Sequence, residues 1–250
     1  MPKRRLDTLL ADRGLYESRS RAAAAVMAGD VSVAGRPVSK PGELVADDAD
    51  LGVAGAPPFV SRGGVKLANA LDEFGIDPSG RRALDVGAST GGFTDCLLQR
   101  GASRVYALDV GRGQLVESLR GDPRVVSMER THAARLDPDA PDRIILPDPV
   151  SLAVADVSFI SLTRLLRGIM AGMTPDGEIL PMVKPQFELS PREVPRGVVR
   201  DAALRAVAVD KVADHARGLG LHVLGSVESP LVGPSGNHEF FLHLRMPGAA

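Results

Sequence analysis

Asp85-Val86-Gly87-Ala88-Ser89-Thr90-Gly91-Gly92-Phe93 decides the fold. Ala83–Val86 reads as a short buried strand, the glycines after Asp85 as a turn, and the residues that follow as a helix. Strand, glycine turn and helix open a doubly wound α/β sheet, whose ligand sits beyond the carboxyl ends of the central strands. Outward from this stretch, further strands are expected near 105–109, 125–128, 152–156, 179–183, 221–227 and 240–244. Helices are expected near 91–100, 113–120, 161–173 and 201–218. The final segment, Glu239 to Leu244, is expected to add an antiparallel strand, giving a seven-stranded, mostly parallel sheet. Residues 137–150 and 189–200 read as loops.

The first 50 residues follow another pattern. Leu6, Leu9 and Leu10 mark one face of a short helix stopped by Gly14, and Ser18 is a suitable N-cap for an alanine-rich helix over 19–28 closed by Gly29. Val31-Ser32-Val33 alternates as a strand. Two short helices followed by small strands make a compact α+β module near the lower size limit for a domain. Gly52 to Pro58, rich in glycine, alanine and proline, resembles a linker. The expected division is a first domain over 1–55, a linker over 56–62 and an α/β domain over 63–250.

Bulk charge conceals an asymmetry. The 250 residues carry a formal net charge of -1, yet residues 1–40 hold eight basic against four acidic residues, and residues 41–60 hold four acidic and no basic ones. A basic head is thereby hidden from the whole-chain sum. One cysteine, Cys96, excludes an internal disulfide and a cysteine-based zinc site. The five histidines show no metal-ligand spacing, so no metal is expected. No apolar run approaches the ~18 residues of a membrane helix, and no apolar stretch follows the basic N-terminus as in a signal peptide. A cytoplasmic chain with no membrane partner is expected. Oligomeric state is not readable.

The turn differs in spacing from the dinucleotide pattern Gly-x-Gly-x-x-Gly. Asp85, Gly87, Ser89, Gly91, Gly92 and Phe93 fit better around the amino-acid moiety of S-adenosylmethionine, held by main-chain groups. Asp109, ending the next strand, stands where an acid accepts hydrogen bonds from ribose hydroxyls.

Four further segments each centre on one ionisable residue: Arg62-Gly63-Gly64-Val65-Lys66, Val154-Ala155-Asp156-Val157-Ser158, Met182-Val183-Lys184-Pro185 and Gly236-Asn237-His238-Glu239. With the glycine turn, these segments resemble the TlyA family over nearly the whole chain. TlyA proteins are two-domain RNA 2′-O-methyltransferases, historically also labelled hemolysins. The resemblance implies a small S4-like RNA-binding domain followed by a class I, Rossmann-like, FtsJ-type methyltransferase domain using S-adenosyl-L-methionine. It implies a Lys-Asp-Lys-Glu tetrad at Lys66, Asp156, Lys184 and Glu239, with Asp156 also beside the cofactor.

The chemistry suits those residue types. A ribose 2′-hydroxyl is a poor nucleophile until its proton leaves. Lys184 is the candidate that receives that proton or aligns the oxygen with the methyl group. Asp156 is expected to hold Lys184, and Glu239 to fix Lys66 or the ribose. His132 stands where similar chains often carry Asn, and the 189–200 loop carries Arg192, Arg196 and Arg200 where relatives are richer in glycine.

Arg4, Arg5, Arg19 and Arg21, with Lys40 and Arg62, are the candidate phosphate contacts. The head has a single aromatic, Tyr16, so recognition of RNA shape and backbone is expected over base stacking. The implied substrate is a cytidine ribose in small- or large-subunit ribosomal RNA. A non-catalytic ribosome assembly factor and a membrane-lytic protein are the alternative readings.

Overall fold

The computed structural model describes residues 3–16, 18–54, 58–233 and 235–248. The chain divides into two compact units, Met1–Pro58 and Phe59–Ala250.

The first unit contains β1 (Lys3–Arg5), α1 (Leu6–Asp12), α2 (Arg19–Ala28), β2 (Val31–Val33), β3 (Arg36–Pro37), β4 (Leu44–Ala46) and β5 (Leu51–Val53). β1 pairs antiparallel with β4, and β2 lies between β3 and β5, antiparallel to both. Leu6, Leu9 and Leu10 of α1 pack with Ala22 and Val26 of α2 and with Val31, forming a core of this unit's own. The Ser18 hydroxyl accepts the Arg21 N–H at 3.2 Å and caps α2 as expected. Leu51–Val53 pairs with β2, so the linker does not begin at Gly52. Residues 55–57 lie outside the described residues.

The second unit opens with α3 (Arg62–Phe74), followed by β6 (Arg82–Val86), α4 (Gly92–Gln99), β7 (Arg104–Leu108), α5 (Glu117–Arg120), β8 (Val125–Met128), β9 (Val150–Ala155), α6 (Leu166–Ala171), β10 (Met173–Val183), α7 (Pro185–Glu188), α8 (Ala202–Gly218), β11 (His222–Glu228) and β12 (Phe240–Arg245). The sheet order is β11-β12-β10-β9-β6-β7-β8. β8, β7, β6, β9 and β10 are mutually parallel, and β12 runs antiparallel to both β10 and β11. All seven expected strands are present.

Period-two alternation splits the central strands between two cores. Leu152 and Val154 of β9 face Leu67 and Leu71 of α3 and Leu97 of α4, while Ala153 and Ala155 join the opposite core with Ile169 of α6 and Val212 and Ala216 of α8. The helices depart from expectation in three places. α3 begins within the expected linker, because Lys66, Leu67, Ala70, Leu71 and Phe74 recur at helical spacing and bury one face. The helix expected over 113–120 shrinks to α5, since Gly111 and Gly113 favour a loop over 109–116. The helix expected over 161–173 divides into a 3₁₀ turn at Leu162–Arg164 and α6.

Candidate active site

β6 lies between β7 and β9, and the chain leaves β8 at one edge to return at β9 on the other side of β6. The carboxyl ends of β6 and β9 therefore flank the switch point of the sheet, where doubly wound folds bind ligands. Two cavities lie there. One of about 450 Å³ is lined by Arg62, Lys66, Gly87, Ser89, Gly92, Phe93, Asp156, Ser158, Lys184 and Glu239, among others. The other, about 1290 Å³, is lined by Asp109, Val110, His132, Ala133, Val157, Phe159 and Ile160, and shares Gly87, Ser89, Asp156 and Ser158 with the first.

The tetrad forms two lysine–carboxylate pairs. Lys66, on the second turn of α3, ion-pairs with Glu239, just before β12; they are 7% and 2% exposed. Lys184, following β10, has its Nζ 2.5 Å from Asp156 Oδ1, just past β9, and donates to the Ser158 hydroxyl at 3.1 Å. Four segments far apart in sequence thus bring their ionisable groups to one cavity wall.

The glycine turn is shaped by close approach. Gly87 has φ +87°, and a Cβ there would collide with the Asp156 carbonyl, so the ends of β6 and β9 come together only around glycine. A Cβ on Gly92 would strike the Ser61 hydroxyl and crowd the Gly64 nitrogen, where α4 meets the start of α3. Gly91 does not line either cavity; a side chain there would meet Leu115 and Leu119 instead. Phe93 lines the smaller cavity and packs against Phe241 with ring centres 5.8 Å apart.

Asp85 departs from the expected direct contact. It is fully buried, lines neither cavity, and accepts a hydrogen bond from the Thr94 hydroxyl at 2.7 Å, while its Oδ1 has no hydrogen-bond partner. Burial pushes its carboxyl up to about 7, an effect only partly offset by Thr94. Asp85 lies beneath the turn and braces it. Asp109 reaches the larger cavity. Its two carboxylate oxygens accept N–H groups of Ser89 at 2.8 Å and Gly111 at 2.6 Å, joining the loops after β6 and β7. Ser89 takes a left-handed φ of +49° in this arrangement.

The family comparisons agree with this geometry. The FtsJ-like methyltransferase profile matches residues 59–246, and the S4 domain profile residues 4–51. The chain is 50% identical over 244 residues to the 16S/23S rRNA (cytidine-2′-O)-methyltransferase TlyA of Mycobacterium tuberculosis, covering 96% of this chain and 89% of that protein. It is 39% identical over 241 residues to Hemolysin A of Brachyspira hyodysenteriae, covering 96% and 98% of the two chains. A Streptococcus thermophilus structure named as a hemolysin shares 40% identity and superposes with a TM-score of 0.74, covering 98% of this chain and 89% of that one. The chain belongs to the TlyA family of FtsJ-like methyltransferases.

Two TlyA-site features were not anticipated from sequence. Phe159 is 91% exposed with a left-handed φ of +65°, and its ring lies 5.1 Å from that of Phe187 at the mouth of the larger cavity. Phe159 and Phe187 each follow a tetrad residue by three positions, Asp156 and Lys184. Glu188, 3% exposed, accepts the Ser161 hydroxyl at 2.5 Å and the Leu162 N–H at 2.8 Å, fastening α7 to the loop that carries Asp156. His132 lines the larger cavity, but its Nδ1 already accepts the Ala134 N–H at 3.1 Å. Cys96 is buried in the core, and burial raises its thiol to about 12.

The expected phosphate contacts of the first unit are mostly engaged. Arg4 pairs with Asp12 and Asp47, while Arg5 and Arg19 both pair with the buried Asp7. Arg5, foremost, holds the Asp7 carboxyl well below the usual carboxylate range. Arg21 and Lys40 are exposed and unpaired with any carboxylate among the described residues. Arg62, in the second unit, stands at the lip of the smaller cavity and donates to the Val232 carbonyl at 3.1 Å.

Proposed function

We propose that the chain transfers a methyl group from S-adenosyl-L-methionine to a ribose 2′-hydroxyl, on cytidine, in RNA of the small or large ribosomal subunit. The observation that carries this reading is the convergence of Lys66–Glu239 and Lys184–Asp156 on a cavity continuous with a larger cleft.

The residues of that cleft fit the cofactor. Asp109 supplies an acceptor at the end of β7, Val110, Ala133 and Ile160 offer apolar walls for a base, and Asp156 sets a carboxylate where the cavities meet. The bound cofactor supplies an electrophilic methyl on a sulfonium. Asp156 suits that positive charge and at the same time fixes Lys184. Lys184, held also by Ser158, meets the incoming 2′-hydroxyl, turns the hydroxyl lone pair toward the methyl group and steadies negative charge on oxygen as the hydroxyl proton passes to solvent water. Such positioning alone is worth up to ~7–11 kcal/mol in well-oriented cases. Lys66 and Glu239 brace the opposite wall. Phe159, exposed beside Phe187, is an aromatic face on which the target base stacks once it leaves its own stack.

The first unit, with exposed Arg21 and Lys40, contributes RNA phosphate contacts, and work on ribosomal RNA supports a cytoplasmic location. The name Hemolysin A carried by one relative supports a lytic reading only by label; no helix among the described residues is long and apolar enough to cross a membrane. Titration calorimetry with S-adenosylmethionine tests the cofactor assignment: wild-type binding that Asp109→Ala weakens at least tenfold is expected, and no wild-type binding overturns it.

A further inference from the structure

Residues 189–200, between α7 and α8, present Arg192, Arg196 and Arg200 to solvent, none paired with a carboxylate among the described residues. Arg81, Arg100 and Arg124 of the same unit instead lie against Glu178, Asp72 and Asp122, whereas others, Arg112 and Arg130 among them, also have no ion pair among the described residues. The acids nearest the loop in sequence are all engaged locally. Glu188 is buried on Ser161 and Leu162, Glu193 accepts the N–H and O–H of Ser190, and Asp201 accepts the Ala203 N–H to cap α8. Three guanidinium groups on one short loop are thereby left without an ion-pair partner among the described residues.

The loop is nevertheless anchored. Asn237, 2% exposed, accepts the Val199 N–H at 2.9 Å on its Oδ1 and donates its Nδ2 to the Gly197 carbonyl at 2.8 Å. Asn237 stands two residues before Glu239, and the loop leaves α7 just after Lys184. One end of the loop is therefore joined in sequence to one member of the tetrad, and the other is tied to the segment bearing another. Planar guanidinium forks without carboxylates, held at the edge of a site for RNA ribose, match phosphate geometry.

We propose that loop 189–200 is a phosphate clamp that grips the RNA backbone beside the ribose being methylated. Arg192, Arg196 and Arg200 are its contact groups, and Asn237 is a positioning residue that sets the clamp against Glu239. The assignment rests on the RNA-substrate reading above.

The test is the affinity of the full chain for purified ribosomal subunits and for deproteinised ribosomal RNA, measured from 50 to 300 mM KCl, with S-adenosylmethionine affinity as the control for folding. Replacing the three arginines by Gln leaves cofactor affinity unchanged and makes the slope of log K against log salt shallower by about 2 to 3. An unchanged slope overturns the clamp while leaving the RNA reading intact; a wild-type chain that binds no RNA removes both. Asn237→Asp keeps the acceptor for Val199 and loses the donor to Gly197. It raises KM for RNA by up to about tenfold at unchanged cofactor affinity. An unchanged KM refutes the positioning role, and a joint loss of cofactor binding and melting temperature shows a merely structural one.

Discussion

Lys184 is held by Asp156 and Ser158 and lines the smaller cavity but not the larger one. Lys184→Ala therefore keeps cofactor affinity within about threefold and lowers methyl transfer by at least ~100-fold, on the scale of lost proton-transfer or charge-stabilising groups; calorimetry and labelled-methyl incorporation check the two halves. Asp85 gives a pH prediction. Its carboxyl is raised to about 7 in the folded chain, against ~4 when unfolded, so the stability its neutral form contributes is present below pH ~4 and is lost as pH rises toward 7. Asp85→Asn removes that loss. Comparison of melting temperatures at pH 5 and 8 is expected to show a smaller drop in the variant than in the wild type, and equal drops contradict the assignment. The tetrad was legible at this scale because its members sit in sequence segments with recognisable neighbours. Asp7, Phe159 and Asn237 were not: a buried carboxylate, an exposed ring and a buried amide acquire meaning only from partners brought in by the fold.

At the scale of elements, the strands were readable because Ala83–Val86, Val105–Leu108 and Leu152–Ala155 are buried on both faces and form continuous apolar runs. α3 was harder, since Gly63 and Gly64 weaken the helix signal in its first turn and Lys66 interrupts the apolar face that it nonetheless joins. Gly64 is there for a reason: a Cβ would run into Phe59, which packs on the core beneath. Gly92→Ala forces α4 away from Ser61 and Gly64 at the cavity wall. It is expected to destabilise the unit by about 1–3 kcal/mol and to weaken cofactor binding, both readable from thermal melts with and without S-adenosylmethionine.

At the scale of the whole molecule, the division into two units was legible from charge and pattern, and the break between Pro58 and Phe59 falls within the linker expected over 56–62. The second unit starts at Phe59, and the Val60 N–H donates to Asp95 in the first turn of α4 at 2.8 Å. A fragment of residues 58–250 is therefore expected to fold and bind S-adenosylmethionine, whereas one beginning at residue 63 loses Phe59 and the Val60 bond and binds poorly. Equal cofactor affinity in the two fragments contradicts this. Separate cores in the two units agree with a division of labour in which the first engages RNA and the second carries the chemistry. The most direct test of that account is transfer of labelled methyl from S-adenosylmethionine to purified small and large ribosomal subunits, followed by alkaline hydrolysis to map ribose methylation. Incorporation at a discrete 2′-hydroxyl, abolished by Lys184→Ala, is the predicted result; no incorporation into either subunit or free ribosomal RNA, from a chain that binds the cofactor, contradicts it.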